Sequence, residues 1–227
     1  MNGQDVGWWT PMLATDAPLL PFPWLLQMWL KLGWAVATAW LGGQVVQRLM
    51  PRRTVVIAMA ALCAIWAWLP GSYSSSFWLG LAFQMPSIST VLLCAVLLWR
   101  LVTGIGAETS GEFDSKRHWL EPGWAMIGVA LSVCLALDTF ALFPVALYAW
   151  GFSGIAVVMA LVLCLLPWVF SHHDGPHALH WIAALAVAVF VVFRLPSGNL
   201  WDAVVDPWLG FGLAVYLARC RVRGRLS

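Results

Sequence analysis

The chain has 227 residues, of which 62% are hydrophobic and only 10% charged. A soluble domain carries roughly 25% charged and 45–50% apolar residues, so the composition excludes an ordinary soluble enzyme, a disordered chain and a nucleic-acid binder. What it leaves is an all-α polytopic transmembrane bundle, and at about 20 apolar residues per crossing the length allows roughly six to eight spans.

No second domain, fixed-period repeat or low-complexity tract is visible. Residues 1–31 read as a surface tail, rich in proline, followed by an interfacial helix. The tail has no cleavable leader pattern, so the first apolar segment is expected to stay in the mature protein. Lys31 sits at a boundary, because a lysine in mid-span costs about 2.5–3.5 kcal/mol. The first span is expected near 32–47, with small residues Ala35, Ala37, Ala39, Gly42 and Gly43 that permit close helix approach. A second runs near 54–69, after Arg48, Pro51, Arg52 and Arg53. A third covers 77–99, where Pro86 kinks the helix or marks its true start. A polar stretch from Arg100 to Glu121 precedes a fourth span near 122–138. Asp138-Thr139 breaks the apolar run, and 140–150 reads as re-entrant, interfacial or part of a kinked helix. Spans near 153–170, 181–193 and 208–218 bring the count to about seven.

The basic residues sort by side. Of 12 Lys and Arg, ten fall on one side of this layout and only Lys31 and Arg194 on the other. Such a bias faces the cytoplasm, which puts the N-terminus outside and the C-terminus inside. Seventeen tryptophans suit interfacial belts. The tail arginines Arg219, Arg221, Arg223 and Arg225 anchor this topology and can hold anionic lipid headgroups. Composition and short loops point to a bacterial inner membrane.

Few polar residues remain for chemistry. Asp138, Asp202 and Asp206 gather at the outer face with Arg194 as their neutralising partner. Asp202 and Asp206, four apart, share one face if that segment is helical. Such a group can bind a cation, relay protons or orient a polar substrate. The alternative is a solvated loop in which Asp202 caps a short helix. On the inner side, His172, His173, Asp174, His177 and His180 form a loose HHDxxHxxH pattern. His173, His177 and His180 are candidate metal ligands, but the pattern lacks the glutamate of HExxH and equally suits an ordinary loop. The five cysteines form no CxxC and read as packing thiols.

The segment RLPSGN, Arg194–Asn199, is similar over a few residues to the PSGH stretch of membrane lipid phosphatases. Asn199 stands where that family has histidine, and no SR…H…D stretch follows, so turn chemistry explains it. No P-loop, GxSxG elbow or retinal-type lysine in the last span is present. Any cofactor is left unknown by the sequence. Three function classes follow. The first is a non-catalytic subunit or scaffold of an envelope complex, partnered by membrane lipids and by another membrane protein or a second copy. The second is a small transporter or channel using the outer carboxylates. The third is a membrane enzyme acting on a lipid or lipid-linked substrate.

Overall fold

Pro23 opens the first helix, at a position where its missing N–H costs nothing. In the computed structural model, which describes residues 20–104, 122–142, 146–170 and 180–222, all regular structure is helical. Helix α1 (Pro23–Leu49) runs unbroken through Lys31, where the sequence suggests a boundary between a surface helix and a span. No proline or glycine pair interrupts it before Gly42. The Lys31 ammonium lies 5.9 Å from the Trp68 ring centroid, an attraction that tolerates an apolar setting.

Helix α2 (Arg53–Trp68) folds back antiparallel on α1 after a tight turn in which the Arg52 N–H donates to the Met50 carbonyl at 2.7 Å. Gly42 meets Met59 and Cys63 of α2, and Gly43 faces Val56 and Ala60. Of the small residues singled out in the sequence, Gly42 and Gly43 thus lie at the α1–α2 contact, while Ala37 packs with Cys94 further along the chain.

The expected third span is divided in two. Helix α3 (Ser75–Phe83) begins at a Ser74 cap and stops at Gln84, whose φ of 62° is left-handed. Helix α4 (Ile88–Thr103) restarts after Pro86. Proline cannot donate into a helix and pushes its predecessor to extended geometry. The carbonyls freed by this break are taken up by indoles: Trp34 Nε1 donates to Gln84 at 2.9 Å and Trp29 Nε1 to Pro86 at 3.1 Å.

Helix α5 (Pro122–Thr139) is followed by the short α6 (Leu147–Trp150) and by α7 (Gly154–Phe170), so 140–150 adds one helical turn and no long helix among the described residues. Helices α8 (His180–Phe193), α9 (Leu200–Val204) and α10 (Pro207–Val222) complete the chain. Helix α10 lies antiparallel on α5, with Gly210 against Ser132 and Gly128 against Leu213. Helix α7 packs on α8. The main core joins Ile88 of α4, Ala156 and Val157 of α7, Val187 and Phe190 of α8, and Leu200 and Ala203 of α9.

Hydrogen bonds gather the helix ends into two groups. At one end, Asp138 meets α6, α6 meets α9, and Asp206 meets the start of α4. At the other, Arg53 Nε donates to the Val102 carbonyl at 2.9 Å, tying the start of α2 to the finish of α4. Among the described residues, Asp138, Asp202 and Asp206 therefore lie at one end, together with Arg194, and Arg53 lies at the other. Among the described residues no helix is long and apolar enough to cross a membrane. The 16-residue helices α2 and α4 are about 24 Å long, against a hydrocarbon core of about 30 Å. The architecture is therefore established as all-helical, and no further.

Candidate functional site

Tyr148 is the centre of the carboxylate end. Its backbone N–H donates to Asp138 Oδ2 at 2.7 Å, and its hydroxyl donates to Asp202 Oδ2 at 2.7 Å. The same Asp202 oxygen accepts from the Ser197 hydroxyl. Asn199 closes the knot. Its side-chain N–H donates to the Tyr148 carbonyl at 2.9 Å, while its Oδ1 accepts the Trp201 N–H at 2.9 Å and so caps α9. Trp201 Nε1 donates to the Leu147 carbonyl at 2.8 Å, and the Leu200 N–H to the Gly151 carbonyl at 3.0 Å.

The local sequence explains each part. Asp138 sits where α5 ends and satisfies an orphan N–H of the first turn of α6. Pro196, Ser197 and Gly198 make the reversal, with Gly198 at φ 82°, a conformation glycine adopts freely. Gly151 allows the closest approach. A Cβ there would overlap Asn199 Oδ1 and lie 2.6 Å from Trp201 Cδ1. Burial and the bond to the Asp202 carboxylate both hold the Tyr148 phenol above its ordinary pKa. The proton is bound more tightly because ionisation would place a second negative charge beside Asp202.

Asp206 lies apart from this knot and is buried. Its Oδ2 accepts the Ser87 N–H at 2.7 Å and its Oδ1 the Leu209 N–H at 2.6 Å. One carboxylate thus caps α10 and clips the start of α4 to it. The shared helical face expected for Asp202 and Asp206 does not form. Helix α9 ends at Val204, and Val205 is extended. Pro207 follows Asp206 and disfavours helix at the residue before it.

Arg194 is at the same end, but its guanidinium stands 5.3 Å from the Phe190 ring centroid. The acceptor role of Asp202 is filled by neutral hydroxyls. Asp138 and Asp202 are therefore brought together through Tyr148, while Asp206 and Arg194 serve other contacts. Asn199, Ser197 and Tyr148 carry the knot and are absent from the sequence-derived candidates. The signal for Asn199 was local: an asparagine directly before a short helix is a preferred cap. Tyr148 had none, because its partners are 10 and 54 residues distant.

The histidine pattern is only partly within reach. His172, His173, Asp174 and His177 lie outside the described residues, and His180 opens α8. Among the described residues no group of three or more His, Cys, Asp or Glu could hold a metal ion. Arg219 and Arg221 occupy the last turn of α10, and Arg223 and Arg225 lie outside the described residues.

Chemically, the knot offers carboxylates whose bonded oxygens already accept N–H or O–H donors. Such an arrangement fixes loops to helices. No family model, curated protein or solved structure matches the chain.

Proposed function

We propose that the chain is a non-catalytic, multi-pass subunit of a bacterial inner-membrane complex, with its carboxylate end outside and its arginine end at the cytoplasm. The observation that carries the subunit reading is the use made of the three carboxylates. Asp138, Asp202 and Asp206 each accept hydrogen bonds that cap or clip helix ends. Groups committed in this way hold the fold and leave little acid or base for a reaction.

Support for the membrane comes from the helix flanks. Val192 is 70% exposed, Phe211 67%, and Leu62 and Ile65 61% each. Large apolar side chains turned outward on several helices need lipid or a protein partner, since a soluble monomer rarely exposes extended apolar patches. The alternation of charge between the two ends agrees with the positive-inside pattern. Helices α7 and α8 have 17 and 14 residues and reach about 21–26 Å. A bilayer thins around short spans at a fraction of a kcal/mol per Å.

Native mass spectrometry of the protein, extracted gently from its own membrane, tests the proposal. A stoichiometric protein partner or a second copy is the expected result. A lone chain that turns over or transports a small molecule, and loses this in Asp202→Asn at unchanged stability, would reject it.

One observation favours transport as a second reading. The α3–α4 break leaves non-helical backbone at Gln84–Ser87, beside a buried Ser89 hydroxyl with no partner. Discontinuous helices of this kind line substrate sites in transporters. Uptake into liposomes that falls in Ser89→Val would establish it over the subunit reading.

A further inference from the structure

The α1–α2 hairpin fixes two levels along the bundle. Its helices are held in register by close contacts, Gly42 of α1 against Met59 and Cys63 of α2, and Gly43 against Val56 and Ala60. At the first level Arg48 lies in the last turn of α1 and Arg53 opens α2. The Arg53 Nε–H donates to the Val102 carbonyl at 2.9 Å and Leu101 packs over Gly43, so the finish of α4 stands at the same height. At the second level the Lys31 ammonium of α1 lies 5.9 Å from the ring centroid of Trp68, the last residue of α2.

This second level is aromatic and tied down. Trp66 Nε1 donates to the Tyr73 carbonyl at 2.9 Å and Trp78 Nε1 to the Ser72 carbonyl at 2.7 Å. The Ser74 and Ser76 hydroxyls both donate to the Ala67 carbonyl at 2.7 Å. The turn from α2 to α3 is thus folded back on the end of α2, yet Trp66, Trp68, Tyr73 and Trp78 are all exposed. Tryptophan and tyrosine settle at the headgroup level of a bilayer, and lysine reaches it by extending its stem. Between the two levels neither helix has a charged residue. Leu41 and Val45 of α1 and Leu62 and Ile65 of α2 are turned outward there.

About 26 Å of helix separates Lys31 from Arg48, and α2 from Arg53 to Trp68 is about 24 Å long. We propose that this hairpin is a ruler that fits the chain to a bilayer with a hydrocarbon core of about 25 Å, thinner than the common 30 Å, and that the aromatic turn between α2 and α3 is its contact with the outer headgroup layer. The inference rests on the membrane reading above. The agreement of the two lengths favours lipid as the cover of these side chains, because a protein partner demands no fixed separation between a basic and an aromatic level. Helix α1 is unbroken between its two anchors, so the bilayer has to adapt to the chain. A thin core also reconciles the membrane reading with described helices that are too short or too polar for an ordinary span.

The test is thermal melting of the full chain in bilayers of phosphatidylcholines of increasing acyl length, with cores from about 22 to about 34 Å. The melting temperature should peak near about 25 Å and be at least about 4 °C lower in the thickest bilayer. A peak at about 30 Å or beyond, or no dependence on thickness, would overturn the ruler. The variant Lys31→Leu/Trp68→Leu removes the outer anchor and joins the largely apolar Trp24–Leu30 to the rest of α1. Its peak should move to bilayers thicker by about one helical turn, roughly 5 Å. An unchanged peak would overturn the aromatic contact with the headgroups and leave a protein partner as its cover. If the variant does not fold, the wild-type series still decides the thickness. All of these results leave the membrane reading standing. Recovery of the wild-type chain in the supernatant of carbonate-washed membranes would remove that reading itself.

Discussion

Tyr148 shows how one side chain organises a surface when its backbone and hydroxyl both find carboxylates. Removing only the hydroxyl, in Tyr148→Phe, leaves the Asp138 bond to the backbone intact and frees one acceptor site on Asp202. A loss of about 1–2 kcal/mol is expected, read as a lower melting temperature in detergent. The pH dependence has a definite sign. The folded phenol has a raised pKa, so the proton is held more tightly in the folded than in the unfolded chain. The stability this contributes is complete below the unfolded value near pH 10 and is lost as pH rises toward the folded value. Melting of the wild type should therefore fall more steeply above about pH 10 than that of Tyr148→Phe. Parallel curves would show that the bond to Asp202 contributes nothing to that alkaline loss. Asp206 behaves differently. In Asp206→Asn one oxygen becomes an amide donor facing a backbone N–H of Ser87 or Leu209. The expected cost is about 1–3 kcal/mol of stability. An Asp206→Asn protein that melts like the wild type would separate this carboxylate from the fold and return it to the functional candidates.

At the level of elements, close approach decides which residues can change. Gly33 of α1 faces the break between α3 and α4. A Cβ there would lie 2.6 Å from Pro86 Cγ and 3.2 Å from Val91 Cγ2. Gly33→Ala must therefore push α1 away from the loop whose carbonyls Trp29 and Trp34 hold. Overpacking of this kind costs about 1–3 kcal/mol. Gly212 of α10 is the control, because nothing lies within 4 Å of a Cβ placed there. Gly212→Ala should be neutral or stabilise by up to about 1 kcal/mol through helix propensity. The two alanine variants should therefore shift the melting temperature in different directions or by clearly different amounts. A similar loss in both would mean that the α1–α4 contact is looser than its geometry.

For the whole molecule, the arrangement of charge is the main organising fact. Among the described residues, Asp138, Asp202 and Asp206 lie with Arg194 at the end opposite Arg53, and exposed apolar side chains line the helices between. If the chain crosses a membrane seven times, a fluorescent protein fused after Ser227 should be fluorescent in the cytoplasm. Alkaline phosphatase inserted after Ser72, at the opposite end, should be active outside. Activity on one side only, for both fusions, would reject the alternating layout and with it the proposed orientation.

Composition pointed to the helical class through the expectation of a bilayer, where long apolar runs can satisfy their backbone within helices, and the described residues are all-helical in their regular structure. Proline located two helix starts, near Pro122 and at Pro207, which occupy first helical positions, but the sequence reading left Pro23, which opens α1, in the surface tail. The continuity of α1 through Lys31 was not legible, because the stabilising Trp68 ring comes from another helix. Nor could spacing show that Asp202 and Asp206 part company, since the helix between them ends where tertiary bonds and Pro207 direct the chain. The Tyr148 knot depended wholly on the tertiary structure. Its partners are far apart in sequence, and a hydrogen bond needs angles and distances that no residue pattern specifies. Sequence periodicity records which side chains avoid water; which polar groups meet is set only when the helices have packed.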